Sequence, residues 1–381
     1  MGDNKKSKVI AMYLPQYHEI PENNEFWGEG FTDWVSVKKA EPLYEGHIQP
    51  KEPLNDNYYD LANIEVLRWQ AKIAKDAGIY GFCFYHYWFE NDKPLLDKPV
   101  YNLLNDKSIE LPFCFAWDNT SWVRSWSKFS GNAWAPKYDK KEVDDQGREF
   151  LLKLDYGGEK EWAAHFNYLL PFFKDPRYIK SNGKPVFLFF STNGIEKLKQ
   201  IEDCWRKLAV KNGFPGIYLI SKRDPIIRKK LMDTEFVYQP ILSGWQRTQV
   251  IKKYIKKYLK IDIKDKQPMV YDYDKVWKAV LRNAKQSSRK NILLGGFVNY
   301  DDTPRRGKNG RIIKNGSPKK FQYYFRKLME ISSASGKEFL FITAWNEWGE
   351  GAYLEPDKEN KYAYLNAVKK VLLEGKSEND R

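Results

Sequence analysis

Short apolar runs alternate with amphipathic segments along most of this chain. Eight of the runs are continuously apolar, which is typical of parallel strands that are buried on both faces. We predict strands at residues 9–14, 79–88, 111–117, 185–191, 217–221, 235–239, 292–299 and 339–345. Between them, apolar residues recur at helical spacing. The segment 63–78, for example, opens with a capping Asn and closes with Gly.

Eight repeats of strand and helix predict an α/β fold, a (β/α)8 TIM barrel formed by residues 1–381 as one domain. A doubly wound open sheet is the alternative, but it needs no eighth strand. No glycine-rich phosphate loop follows the first strand either. The unequal spacing of the runs predicts insertions at about 17–62, 118–160 and 242–272, and a short polar tail at about 375–381. Such insertions usually follow the strands and build the active site.

Composition narrows the classes of protein that the chain can represent. Hydrophobic residues make up 42% and aromatic residues 16%, so disorder is excluded as the main state. The net charge of +14 favours acidic partners without choosing among them. A surplus of aromatics, with 14 Trp and 25 Tyr, predicts a cleft for flat-faced groups such as sugars or bases. Three Cys and four scattered His predict no disulfide framework, no metal site and no cofactor.

Two features bear on location. The first apolar run is too short for the core of a signal peptide, and no stretch is long enough to span a bilayer, so we expect a cytoplasmic protein. From Val250 to Lys260, apolar residues recur at helical spacing with lysines between them. This pattern predicts either peripheral contact with the anionic inner face of the plasma membrane or an insertion helix that packs on the barrel.

The strongest chemical signal follows the eighth run, where the sequence from Trp345 to Gly351 reads WNEWGEG. Glu347 and Glu350 are three residues apart at the end of a predicted barrel strand, so both can point into its mouth. Two carboxylates beside one sugar ring are what glycosidic chemistry needs, because one donates a proton and the other acts as base or nucleophile. The alternative is a surface turn with two solvated glutamates.

Polar and aromatic residues also lie at the ends of three other runs. The candidates for ligand contact are Tyr85, His86 and Tyr87 in the last part of the second run, Trp117, Asp118, Asn119, Trp122 and Arg124 from the end of the third onward, and Tyr300, Asp301 and Arg305 after the seventh. Indole faces stack on sugar rings while amides and carboxylates bind hydroxyls, and Arg binds phosphate. The alternatives are loops that are pinned by hydrophobic packing and a histidine with a structural role.

Longer motifs give the chain a resemblance to a known family. Residues 13–23 read YLPQYHEIPEN, 26–34 FWGEGFTDW, 45–50 EGHIQP, 81–89 GFCFYHYWF, 302–306 DTPRR and 344–356 AWNEWGEGAYLEP. These motifs strongly resemble the WbsX-type glycosyltransferases, relatives of glycoside hydrolase family 99, over nearly the whole chain. The resemblance implies a (β/α)8 barrel, in agreement with the pattern of apolar runs.

The resemblance also implies roles for individual residues. Glu347 would assist the sugar's own 2-hydroxyl in attacking the anomeric carbon, and Glu350 would act as acid and then as base. Further substrate contacts would come from Tyr13, Gln16, His18, Trp27, Glu29, Trp34, Trp345, Asn346, Trp348, Tyr353 and Glu355. One departure is Thr120, which stands where the family often has an acid, so we expect a hydrogen bond or charge to be lost at that subsite.

Together these features predict a carbohydrate-active enzyme of surface polysaccharide (O-antigen or capsule) assembly. Its partners would be a glycan, a sugar nucleotide or a lipid-linked saccharide. An endo-acting α-mannosidase-like hydrolase is one alternative, and a non-catalytic glycan-binding barrel is another. Nucleic acid is not expected as a partner, because carboxylates near the clustered aromatics would repel phosphate.

Overall fold

The computed structural model of the protein describes residues 6–123, 150–224, 232–246 and 268–374. Eight parallel strands form its centre: β1 (Lys8–Tyr13), β2 (Gly81–Phe89), β3 (Phe113–Trp117), β4 (Lys184–Phe189), β5 (Tyr218–Lys222), β6 (Thr234–Phe236), β7 (Ile292–Phe297) and β8 (Phe339–Thr343). Each lies within one of the predicted apolar runs or overlaps it by most of its length. The predicted set of eight strands is therefore confirmed.

The strands pair in chain order and the sheet closes on itself. Closure is made by β1, which pairs with β8 through Lys8 and Phe339 and with β2 through Ile10 and Gly81. All nine residues of β2 are buried, because one face fills the barrel and the other lies under helices. This two-sided burial explains the continuous apolar runs. The predicted (β/α)8 barrel is confirmed.

In the described parts of the chain, helices cover the barrel after every strand except β5. They span Ile64–Asp76, Lys98–Asn105, Glu159–Lys174, Leu198–Lys211, Tyr273–Ser288, Pro318–Ala334 and Ala363–Glu374. The first is capped as its sequence predicts, since the Asn63 side chain accepts a hydrogen bond from Glu65 N. Shorter helices at Pro21–Trp27, Asp33–Lys38 and Thr303–Arg306 lie in the loops that follow β1 and β7. These loops are at the carboxyl ends of the strands.

Three sequence predictions fall outside the described residues: the lysine-rich helix from Val250 to Lys260, the contact expected of Arg124, and the polar tail at about 375–381. In the parts of the chain that the structure describes, no helix combines the length and apolar character needed to cross a membrane.

Candidate active site

A cavity of about 1260 Å³ opens at the carboxyl ends of the barrel strands. Aromatic rings form much of its wall: Trp27, Phe31, Tyr85, Tyr87, Trp122, Phe190 and Tyr238. Carboxylates and amides lie between them, contributed by Gln16, Asp33, Asp118, Asn119, Glu347 and Glu350. Rings interleaved with hydrogen-bonding groups suit a polyhydroxylated ligand, because the rings cover C–H faces and the polar groups bind hydroxyls.

Glu347 and Glu350 lie on one turn directly after β8. Two short antiparallel strands, Asn346–Glu347 and Ala352–Tyr353, flank a 3₁₀ turn at Trp348–Glu350. Gly351 closes the turn in the left-handed region, with φ of 57°. The two carboxyl groups therefore face the same cavity, and the prediction of a pair at the barrel mouth matches this geometry.

Arg305 joins the two glutamates. Its Nη2 lies 3.0 Å from Glu347 Oε2, and its Nη1 lies 3.3 Å from Glu350 Oε1. The same guanidinium binds Asp33, with 3.1 Å from Nε to Oδ1 and 3.0 Å from Nη2 to Oδ2. The turn passes so close that a Cβ on Gly349 would lie 2.7 Å from Asp33 Oδ2. Only glycine fits there without displacing the ion pairs.

Burial raises the pKa of both Glu347 and Glu350, and the charge of Arg305 opposes part of that rise. Three carboxylates, including Asp33, face one guanidinium, so full ionisation would leave excess negative charge in a site with little water. The glutamate pair therefore tends to hold a proton near neutral pH. One protonated and one ionised carboxyl group is the state that acid–base chemistry requires.

The turn is locked against the end of β1. Asn346 Oδ1 accepts a hydrogen bond from Leu14 N at 2.7 Å, and its Nδ2 donates to Leu14 O at 2.9 Å. The Tyr17 hydroxyl donates to Asn346 O at 2.7 Å and accepts from Trp348 N at 3.2 Å. Asn346 thus holds the backbone of the turn from behind and does not reach the cavity.

Glu355 lies beneath the same turn. Its carboxylate accepts hydrogen bonds from Trp348 Nε1 at 2.6 Å, Tyr59 Oη at 2.8 Å and Gln70 Nε2 at 2.7 Å. Burial raises the pKa of Glu355 to about 7. Tyr13 extends this buried network by donating to Gln70 Oε1 at 2.6 Å. Glu355 and Tyr13 therefore fix the base of the site, away from the ligand cavity.

Asp301 organises the loop that presents Arg305. Its Oδ2 lies 2.8 Å from both His47 Nε2 and Gln49 Nε2, and its Oδ1 accepts from Thr303 Oγ1 at 2.6 Å. Leu43 N donates to His47 Nδ1, so the proton of the neutral His47 ring is on Nε2 and points at Asp301. The carboxylate thereby ties the loop after β7 to the loop after β1.

His86 lies on the outer side of β2. Its Nε2 is 2.8 Å from His165 Nε2, and Trp88 stacks on His165 with ring centroids 4.6 Å apart. Trp117 meets the same His165 ring edge-on at 4.7 Å. Burial lowers the pKa of His86 to about 3. Because the strand alternates, Tyr85 and Tyr87 face the cavity while His86 and Trp88 face the helix layer.

The structure thus divides the predicted ligand contacts into two groups. Those that line the cavity are Gln16, Trp27, Tyr85, Tyr87, Asp118, Asn119, Trp122, Arg305, Glu347 and Glu350. Those that are buried around it, outside its lining, are Tyr13, His18, Trp34, His86, Trp117, Tyr300, Asp301, Trp345, Asn346, Trp348, Tyr353 and Glu355. Glu29 is exposed and also lies outside the lining. Direct contact with a ligand is supported only for the first group.

Several residues that line the cavity were not predicted from the sequence. Phe190 and Tyr238 line the cavity and follow the ends of β4 and β6. Their position at the carboxyl ends of predicted strands was a usable signal. Asp33, which binds Arg305, carried no comparable signal because it lies in a loop. At the departure from the family pattern, Thr120 Oγ1 donates to Asp118 Oδ1 at 2.9 Å, so this loop still presents a carboxylate.

Among the residues that the structure describes, no three or more His, Cys, Asp or Glu side chains are grouped as metal ligands would be. Three acids of the cavity, Asp33, Glu347 and Glu350, are bound by Arg305.

Comparison with known proteins places the chain in a family. The model of the family described as glycosyltransferase WbsX matches residues 9–368. The uncharacterized protein WxcX of Xanthomonas campestris pv. campestris is 30% identical over 374 residues, which cover 96% of this chain and 49% of WxcX. The chain therefore spans about half the length of the curated relatives that it matches.

Solved structures support the fold. The GH99 endo-alpha-mannosidase from Bacteroides thetaiotaomicron superposes with a TM-score of 0.59 at 16% identity, covering 100% of this chain and 99% of that one. A glycoside hydrolase-like protein gives a TM-score of 0.61 at 14% identity, covering 98% and 95%. Identities this low establish the barrel and no more. With the family match over residues 9–368, the chain belongs to the family described as glycosyltransferase WbsX.

Proposed function

We propose that this chain makes or breaks a glycosidic bond with retention of configuration, using Glu350 as acid and base and Glu347 to assist the sugar's 2-hydroxyl. The observation that carries the proposal is the pair of buried carboxylates on one turn, both bound to Arg305 and both facing the cavity. A solvated surface turn would have neither the shared guanidinium nor the burial.

The two glutamates differ in ways that support these roles. The Glu350 side chain is 17% exposed and that of Glu347 only 5%, so Glu350 is the better placed to meet a leaving-group oxygen. Glu347 has the shorter ion pair with Arg305, at 3.0 Å against 3.3 Å, and this charge opposes the burial that raises the pKa of Glu347 to about 8. An ionised Glu347 can accept the proton of a hydroxyl.

The proposed reaction balances in two steps. Glu350 gives its proton to the glycosidic oxygen as the C1–O bond breaks, while O2 bonds to C1 and passes its proton to Glu347. In the second step, an acceptor hydroxyl or water gives its proton to Glu350 and bonds to C1. The C1–O2 bond then breaks, and Glu347 returns the proton to O2. Because the incoming oxygen decides the product, the same site supports transfer or hydrolysis.

We further propose a role in surface polysaccharide (O-antigen or capsule) assembly, with a sugar nucleotide or lipid-linked saccharide as substrate. The membership of the chain in a glycosyltransferase family supports this role. The alternative is an endo-acting α-mannosidase-like hydrolase, since a GH99 endo-alpha-mannosidase has the same barrel fold. A cytoplasmic location and contact of the Val250–Lys260 segment with a membrane remain predictions.

A mass-spectrometric screen separates these activities. The purified protein is offered nucleotide sugars with lipid-linked acceptors in one arm and α-mannooligosaccharides alone in the other. Glu347→Gln and Glu350→Gln are the test variants, and Glu110→Gln, at an exposed site paired with Lys75, is the control. Loss of turnover by about two to four orders of magnitude in both test variants is expected, with the control unaffected.

Mass gain on the acceptor identifies a transferase, and shortened oligosaccharides identify a hydrolase. Near-normal turnover in Glu350→Gln contradicts the assigned acid and base. Oligosaccharide binding without turnover in either arm favours a non-catalytic glycan-binding barrel.

A further inference from the structure

Asp301 lies outside the cavity lining, yet it contacts both the turn of Glu350 and the helix of Arg305. Its backbone N donates a hydrogen bond to Glu350 O at 2.6 Å. The fit is close, because a Cβ on Gly351 would lie 3.0 Å from that same nitrogen. The loop after β7 is therefore bonded directly to the turn that carries the proposed acid.

The carboxylate of Asp301 binds the amino end of the short helix Thr303–Arg306. Its Oδ1 accepts hydrogen bonds from Thr303 N at 3.1 Å and from Thr303 Oγ1 at 2.6 Å. Arg305 follows two residues later in this helix, and its Nη1 lies 3.3 Å from Glu350 Oε1. One residue thus holds the backbone of Glu350 and also the segment that presents the cation bound to its carboxyl group.

The other carboxylate oxygen of Asp301 joins this arrangement to the loop after β1. Oδ2 lies 2.8 Å from His47 Nε2 and 2.8 Å from Gln49 Nε2. The same loop contributes Asp33, whose Oδ2 accepts from Arg305 Nη2 at 3.0 Å. Asp301, Arg305 and the loop after β1 therefore form a closed ring of contacts. The guanidinium cannot shift far without breaking a bond of this ring.

The position of Asp301 calls for a carboxylate. Each oxygen accepts two hydrogen bonds, and all four donors are N–H or O–H groups of the protein. Although burial raises the pKa of Asp301, these hydrogen bonds hold it below its ordinary value, so the group is ionised. An amide has only one acceptor oxygen. Whichever way it is turned, its NH2 group would face two of these donors.

We propose that Asp301 is a positioning residue for the glycosidic chemistry, which sets the alignment of Glu350 with Arg305 without touching the ligand. An acid must meet the leaving-group oxygen in a defined geometry, and a displacement of about 1 Å can lower the rate about 100-fold. The inference rests on the proposed function, since the alignment matters for the reaction only if Glu350 is its acid and base. Asp301 thus acts through other residues and not by the ligand contact that the sequence predicts.

The first test compares Asp301→Asn with the wild-type protein on the substrate that the mass-spectrometric screen identifies. The kcat should fall about 10- to 100-fold while KM stays unchanged, because alignment of the acid is lost and the ligand contacts are kept. Asp175→Asn is the matched control. Asp175 is also a buried carboxylate that accepts from a loop backbone, at Arg177 N, but it precedes β4 at the other end of the barrel. This control should lower Tm without changing kcat.

The second test separates positioning from general stability through His47. His47→Gln keeps an N–H donor for Asp301 Oδ2 and should retain most of the wild-type kcat. His47→Leu removes that donor and should lower kcat about tenfold, with KM unchanged. All assays are run well below the Tm of each variant, so that loss of folded protein does not enter kcat.

The third test measures the alignment itself and needs no turnover. In a crystal structure of Asp301→Asn, the distance from Arg305 Nη1 to Glu350 Oε1 should lengthen from 3.3 Å to beyond about 4 Å, outside the range of an ion pair. In Asp175→Asn the same distance should stay as it is in the wild-type protein.

The outcomes separate the inference from the proposed function. Wild-type kcat in Asp301→Asn, or an unchanged contact between Arg305 and Glu350, overturns the positioning role and leaves the proposed reaction standing. A rise in KM at constant kcat also overturns it, because that pattern assigns Asp301 to ligand binding. If the wild-type protein turns over no substrate in the screen, the proposed function fails, and the crystal structures alone decide whether Asp301 aligns the two side chains. Should Asp301→Asn not fold, the two His47 variants decide by the same measurements.

Discussion

The guanidinium of Arg305 and the carboxylate of Glu347 lie 3.0 Å apart in a part of the barrel mouth from which water is largely excluded. The Arg305 side chain is 10% exposed and that of Glu347 is 5% exposed. Breaking a buried ion pair by removing one partner leaves an uncompensated charge, which is far costlier than losing a pair on the surface. Arg305 also serves Asp33 and Glu350, so three carboxyl groups depend on it.

Replacing Arg305 should therefore destabilise the protein more than replacing an exposed arginine would. Arg305→Met is expected to lower the free energy of unfolding by about 3 kcal/mol at pH 8. This decrease in the free energy of unfolding should be smaller at pH 5, because Glu347 and Glu350 bind protons there. Chemical denaturation measures both values. Arg68→Met is the control, because Arg68 makes only surface ion pairs, and an equal loss there would contradict the assigned role.

Glu355 should make stability depend on pH. Burial holds its folded-state pKa at about 7, above its ordinary value of 4.5, so the fold favours the protonated form. This preference for the protonated form stabilises the fold fully below about pH 4.5. The stabilisation is lost as the pH rises through about 7. Wild-type protein should lose roughly 3 kcal/mol more over this range than Glu355→Gln. If the free energies of unfolding of the two proteins changed with pH in the same way, the burial of an ionisable Glu355 would be refuted.

The His86–His165 pair should act in the opposite direction over much of the same pH range. Burial lowers the pKa of both imidazoles, so folding excludes protons that the unfolded chain accepts below about pH 6.5. Stability is then lost as the pH falls through that value. His165→Gln removes one titrating ring and should reduce the loss between pH 6.5 and pH 5 by about 1.5 kcal/mol. An unchanged acid dependence of the unfolding midpoint would show that the pair does not titrate as a buried unit.

Trp122 should matter for ligand binding more than for stability. Its ring lines the cavity and meets Tyr87 edge-on at 5.5 Å and Phe89 at 5.4 Å. Trp122→Ala should raise the Kd for α-mannooligosaccharides by roughly tenfold, because a stacking face is lost. Tyr323→Ala, at an exposed ring on the outer helix layer, is the control. A large fall in Tm with unchanged Kd would instead assign Trp122 to packing of the loop.

The fold was predictable because each strand is buried on both faces and therefore appears in the sequence as a continuous apolar run. The carboxylate pair was predictable too, since Glu347 and Glu350 follow the last apolar run directly. The sequence could not reveal which face of each strand end meets the cavity. His86 and Tyr85 are adjacent, yet only Tyr85 lines the cavity. Nor could it reveal Asp33, because its pairing with Arg305 joins residues that only the closed barrel brings together.

The location of the turn after β8 has a consequence for how activity arises during folding. Asn346 bonds to Leu14 across the seam where the last strand meets the first, and Gly349 lies against both Asp33 and Arg305. Segments from the beginning and the end of the chain must therefore meet before either glutamate is in position. A partly folded or prematurely ended chain would have most of the barrel but not the proposed catalytic pair, so the activity proposed for that pair would itself report that the ring of strands has closed.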